Sequence, residues 1–97
     1  MNGLPFKRVE DAWFWAMGRL KRPDIADTLA RPCTPDDIVK MLDRLYRSRK
    51  ITLEHARVLR TWGEQAKEPP RDVRDHTLWR EAISRLEWPM RLRGVVQ

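Results

Sequence analysis

The chain has 97 residues, with 20 lysines and arginines against 14 acidic side chains, a single cysteine and a formal charge of +6. That length supports one hydrophobic core without cross-links and leaves no room for a second, so residues 1–97 are expected to form a single domain. Cys33 has no disulfide partner and no zinc-type companions, the Ala12 to Met17 apolar cluster is too short to span a bilayer, and the N-terminus is charged by Lys7. These features predict a cytoplasmic protein in a reducing compartment, without metal or other cofactor.

The first helix is predicted over Val9 to Lys21, with Glu10 and Asp11 where acids favour a helix N-terminus. Val9, Ala12, Trp13, Ala16, Met17 and Leu20 form its apolar stripe, and Phe14 and Trp15 fall outside it. Pro23 and Pro32 bracket a linker with at most one helical turn around Ile25 to Leu29. In Thr34-Pro35-Asp36-Asp37 the threonine caps a second helix, the proline suits its first position and the acids face its dipole. This helix reaches Arg47 and buries Ile38, Met41, Leu42, Leu45 and Tyr46.

After a break at Ser48 to Ile51, Thr52 caps a third helix running to about Ala66. At 100° per residue, Ala56, Val58, Leu59, Trp62, Gly63 and Ala66 share one arc, and Glu54, Arg57, Arg60, Thr61 and Glu64 share the other. Pro69-Pro70 stiffens the next connection. A fourth helix extends from Asp72 or Asp75 to Glu87 with Trp79, Ala82, Ile83 and Leu86 inward, and Pro89 is expected to stop it. The fold class is therefore all-α: about four helices with a central helix-turn-helix-like hairpin. Residues 1–8 and 88–97 are arms, the latter a short basic C-terminal arm or strand.

Residues 1–43 carry seven basic and seven acidic side chains and residues 61–97 carry seven and six, whereas residues 44–60 hold six basic groups against Glu54 alone. Nearly all the excess positive charge therefore falls at one helix–turn–helix corner, where basic groups neutralise phosphates and an exposed helix face enters a major groove. On this reading Arg44 belongs to the contact surface, Arg47, Arg49 and Lys50 grip phosphates, Arg57, Thr61 and Glu64 face base edges, and Arg60 serves either. The turn lacks the glycine usual in that motif, the second helix is long for it, and no winged hairpin follows. A solvated basic corner on an ordinary αα-hairpin gives the same pattern, and a GC-rich coding sequence gives the same threefold excess of arginine over lysine.

Of the five tryptophans, Trp13, Trp62 and Trp79 lie on apolar stripes and are expected in the core. Phe14, Trp15 and Trp88 do not, and offer an alternative function: a protein-interaction module, homodimer or small subunit of a complex docking through exposed aromatics. His55, in the third helix's apolar arc, reads as a packed, hydrogen-bonded side chain, and neither it nor His76 has metal or nucleophile spacing. Phosphate-cradling glycine loops are missing from the sequence and a small helical chain has little room for a substrate pocket, so neither enzymatic activity nor a small-molecule substrate is expected. A membrane-surface role is disfavoured because Glu54 and Glu64 interrupt the basic face of the third helix. The sequence thus points to a small non-enzymatic regulatory protein that binds nucleic acid, DNA rather than RNA.

Overall fold

The computed structural model describes residues 4–22 and 31–97. It is all-helical: α1 (Val9–Lys21), α2 (Pro35–Arg47), α3 (Leu53–Glu64) and α4 (Asp75–Arg93). The turn expected around Ile25 to Leu29 lies outside the described residues. No helix among those described is long and apolar enough to cross a membrane.

Local chemistry starts the helices where the sequence places them. At α2 the Thr34 backbone N–H donates to Asp37 Oδ2 at 2.9 Å and the Asp37 N–H donates to Thr34 Oγ1 at 3.2 Å, a reciprocal capping box. α3 repeats the device with histidine in place of the usual glutamate: the Thr52 N–H donates to His55 Nδ1 at 3.0 Å and the His55 N–H donates to Thr52 Oγ1 at 3.3 Å. With Nδ1 accepting, the ring proton belongs on Nε2, which lies 3.1 Å from Glu81 Oε1 and ties α3 to α4. His55 is thus packed and hydrogen-bonded, and it also caps. α1 lacks a side-chain cap, and Arg8 instead pairs with Asp11 at 3.1 Å.

α1 packs against all three other helices, and α2 and α3, though consecutive, touch each other least and are joined through α1 and α4. The core is built on Trp13, Ile38, Leu59, Trp79, Leu86 and Met90, all essentially inaccessible. Trp13 Nε1 donates to the Leu59 carbonyl at 2.8 Å, which satisfies a buried indole. α1 can come this close because position 63 on α3 is glycine: a Cβ there would lie 2.5 Å from Trp13 Nε1 and 2.7 Å from Met17 Cγ. Trp62 is not core. It is half-buried at the rim, donating from Nε1 to Asp75 Oδ2 at 2.9 Å.

Other expectations need correction too. Pro89 does not end α4, which continues to Arg93. An interior proline costs about 3 kcal/mol, but fully burying a side chain such as Met90 or Val95 returns about 1.5–3 kcal/mol each, and both are 0% exposed. The helix ends instead at Gly94, φ 80°, with the Val95 N–H donating to the Met90 carbonyl at 2.8 Å. Of the segments read as arms, residues 88–93 belong to α4, and the rest of the tail is laid on the domain beside Phe6. Phe6, Val95 and Val96 are buried, and the Phe6 N–H donates to the Val95 carbonyl at 2.7 Å while the Gln97 N–H donates to the Phe6 carbonyl at 3.0 Å. The expected tail strand is reduced to this single parallel bridge. Tyr46 is 47% exposed and Ile51 seals the corner in its place. Leu20, in the last turn of α1, is half exposed.

Candidate nucleic-acid interface

The corner between α2 and α3 is shaped by a left-handed residue. The Lys50 N–H donates to the Leu45 carbonyl at 2.9 Å and the Arg49 N–H to the Tyr46 carbonyl at 3.1 Å, the paired bonds of a Schellman ending. Glycine usually occupies the left-handed position of that motif, and here Arg49 does, at φ 62°. The glycine missing from the turn in sequence is thus replaced by a strained arginine that projects charge at the tip of the corner.

Arg44, Arg47, Arg49, Lys50, Arg57, Arg60 and Thr61 are all exposed. Two are already partnered one turn away: Arg47 Nε lies 3.0 Å from Asp43 and Arg60 Nε lies 3.4 Å from Glu64. Among the described residues, Arg44, Arg49, Lys50 and Arg57 have no acidic partner. Surface pairs of this kind contribute about 0–1 kcal/mol, so a phosphate can displace the acid from Arg47 or Arg60 at little cost. Glu64, read as facing base edges, is bound to Arg60.

These residues do not all face one surface. Arg57, Arg60 and Thr61 lie on the outer face of α3. Arg44 and Lys50 line a groove of about 760 Å³ between α2 and α4, opposite Arg85, Trp88 and Leu92. Lys40 and Arg93 border the same groove. Sequence reasoning missed Arg93 because Pro89 reads as a helix end, and missed Lys40 and Arg85 because both lie in segments whose charges balance in sequence. With α4 continuous, Arg85, Trp88 and Leu92 recur at helical spacing on one face, and Leu86 and Met90 one turn apart were the signal.

The three off-stripe aromatics do not form one patch. Phe14 is half-buried and stacked on Trp79 at 5.5 Å, and Trp15 is half-buried and tilted against Phe6 at 5.3 Å. Both border a depression near Arg31 and Gln97 that shares no residue with the α2–α4 groove. Trp88 is the exposed one, at 67%, beside Leu92 at 69%.

Two groups near the groove have shifted acidities. The Thr34 backbone N–H, bonded to the Asp37 carboxylate, holds that carboxyl below its ordinary value, helped by Arg93 at 3.6 Å. Burial, followed by the nearby Asp37 charge, pushes the Cys33 thiol up, away from the thiolate a nucleophile needs. The described residues contain no group of three or more metal-ligating side chains. What the surface offers is fixed positive charge, a hydroxyl at Thr61 and one exposed indole. No protein-family model matches the chain, and neither a similar curated protein nor a similar solved structure was found.

Proposed function

We propose that the chain is a small non-enzymatic regulatory protein that binds nucleic acid through the basic corner between α2 and α3. The observation that carries this reading is that Arg44, Arg49, Lys50 and Arg57 cluster at that corner without acidic partners among the described residues. Duplex DNA fits better than duplex RNA, because the outer face of α3, with Arg57, Arg60 and Thr61, suits a wide major groove and the deep narrow groove of A-form RNA would exclude it. Arg44, Arg47, Arg49 and Lys50 supply phosphate contacts. The rival reading, protein docking through Phe14, Trp15 and Trp88, has less support, since the first two pack against buried rings and Trp88 lies apart from them.

Titration with random-sequence duplex DNA at two salt concentrations, read by intrinsic tryptophan fluorescence, tests the proposal. Four neutralised phosphates imply a log–log slope of about −3.6, or about 150-fold weaker binding over a fourfold rise in salt. Arg57→Glu combined with Arg60→Glu should abolish binding without changing helix content. Binding unaltered in that double variant would overturn the proposal.

A further inference from the structure

We infer that the groove between α2 and α4 is a second nucleic-acid site, one that takes an unpaired strand with a base stacked on Trp88. The inference rests on the nucleic-acid reading above for its partner class and adds a separate surface with a separate preference. The groove has five cations at its edges, Lys40, Arg44, Lys50, Arg85 and Arg93, against the single acid Asp37. Lys40 is engaged by Asp36 at 3.2 Å and Arg93 faces Asp37 at 3.6 Å. Arg44, Lys50 and Arg85 have no acidic partner among the described residues. Charge therefore favours an anionic occupant.

The indole selects among anions. Trp88 is 67% exposed and Leu92, one helical turn further on, is 69% exposed, so an apolar platform stands between unpaired cations on α2 and α4. A duplex keeps its base faces stacked inside and presents phosphates on a convex surface, so it can satisfy the cations but not the indole. A single strand satisfies both: its backbone tracks the positive groove while a base lies flat on the aromatic ring, the arrangement common to sequence-tolerant single-strand binders. An acidic peptide would satisfy the charge, but it would need several apolar anchors where the groove exposes only Trp88 and Leu92. Arg44 and Lys50 border both the groove and the α2–α3 corner, so a strand leaving a duplex at the corner has a continuous positive path into the groove.

The test uses anisotropy of a labelled oligothymidylate and of a labelled random-sequence duplex of matched length, against the full chain at low salt. Trp88→Ala should weaken oligothymidylate binding by about 5- to 150-fold, the range for losing one stacked base, and leave the duplex within about twofold. Trp88→Phe should retain most of the affinity, and Arg85→Glu should weaken the single strand and make its salt dependence shallower. The double variant of Arg57 and Arg60 should do the converse, losing the duplex and keeping the oligothymidylate. If Trp88→Ala and Arg85→Glu leave oligothymidylate binding unchanged, the groove site falls and the corner stands. Should the duplex fail to bind while the single strand binds in a Trp88-dependent way, the corner falls and the groove stands. A Glu-rich amphipathic peptide that binds through Trp88 where oligothymidylate does not would overturn the nucleic-acid assignment of the groove.

Discussion

Replacing Gly63 by alanine should destabilise the fold even though alanine is the better helix former. Gly63 lies inside α3, so on helix propensity alone the change gains about 1 kcal/mol. Against this, the new Cβ would lie 2.5 Å from Trp13 Nε1 and 2.7 Å from Met17 Cγ, both closer than a carbon tolerates. Trp13 is 1% exposed and anchored by its 2.8 Å bond to the Leu59 carbonyl, so the ring cannot simply swing aside. Overpacking costs about 1–3 kcal/mol, and losing the indole bond while leaving its N–H buried costs about 1–3 kcal/mol more. The net loss is about 1–5 kcal/mol, which for a domain of this size lowers Tm by roughly 4–40 °C. Gly18 provides the control: it is exposed in α1 with nothing within 4 Å of its would-be Cβ, so Gly18→Ala should stabilise by up to about 1 kcal/mol. Urea unfolding of both variants, followed by circular dichroism, gives the two signs. A Gly63→Ala protein as stable as the parent would refute the close approach of α1 and α3 through Trp13.

The left-handed ends of α2 and α3 give a second pair. Arg49 (φ 62°) and Ala66 (φ 56°) each bear a strain of about 1–2 kcal/mol, partly offset in a glycine variant by about 0.5–1 kcal/mol of added chain entropy. Both Arg49→Gly and Ala66→Gly should therefore raise stability by about 0.5–1 kcal/mol. Only the first should weaken duplex binding, reducing its salt slope by about 0.9; equal effects of the two on DNA affinity would remove Arg49 from the contact surface. Asp37 governs an acid response. Its folded carboxyl titrates below its ordinary 3.8, so its stabilisation is present in full above that value and is lost as pH falls through the lower folded value. Asp37→Asn should flatten the acid limb of a stability profile measured from pH 6 downward, and an unchanged limb would show that the capping box carries no such linkage. Cys33, its thiol pushed up by burial, should react with iodoacetamide at neutral pH more slowly than a free cysteine does, and faster labelling would contradict the packing at the start of α2.

The capped helix starts and the exposed face of α3 were legible because they depend on residues within one turn of each other, whereas Ala66, expected on the apolar arc, is exposed beyond the end of α3. Thr34 with Asp37, and Thr52 at the head of α3, fix their N-termini by local hydrogen bonds, and the exposed set Glu54, Arg57, Arg60, Thr61 and Glu64 follows from the helical period alone. What was not legible depends on residues distant in sequence. A local rule ends α4 at Pro89, and only the burial of Met90 and Val95 against the rest of the molecule, with Phe6 bonded to Val95, reverses it. The role of Gly63 is likewise invisible until Trp13, fifty residues earlier, is brought against it.

The same distinction governs the candidate surface. Counting charge by segment located the corner at residues 44–60, yet it treated residues 61–97 as nearly neutral, seven basic groups against six acidic ones. In space those acids do not all stay with their basic neighbours. Asp75 is bound to Trp62 and Glu81 to His55, both on α3, while Arg85 is left facing Arg44 and Lys50 across the groove. A segment balanced in sequence thereby contributes uncompensated positive charge to one face, because two of its acids are used in joining α4 to α3. The positive surface is consequently broader than the corner that announced it. It reaches Trp88 only because α4 continues through the proline expected to end it.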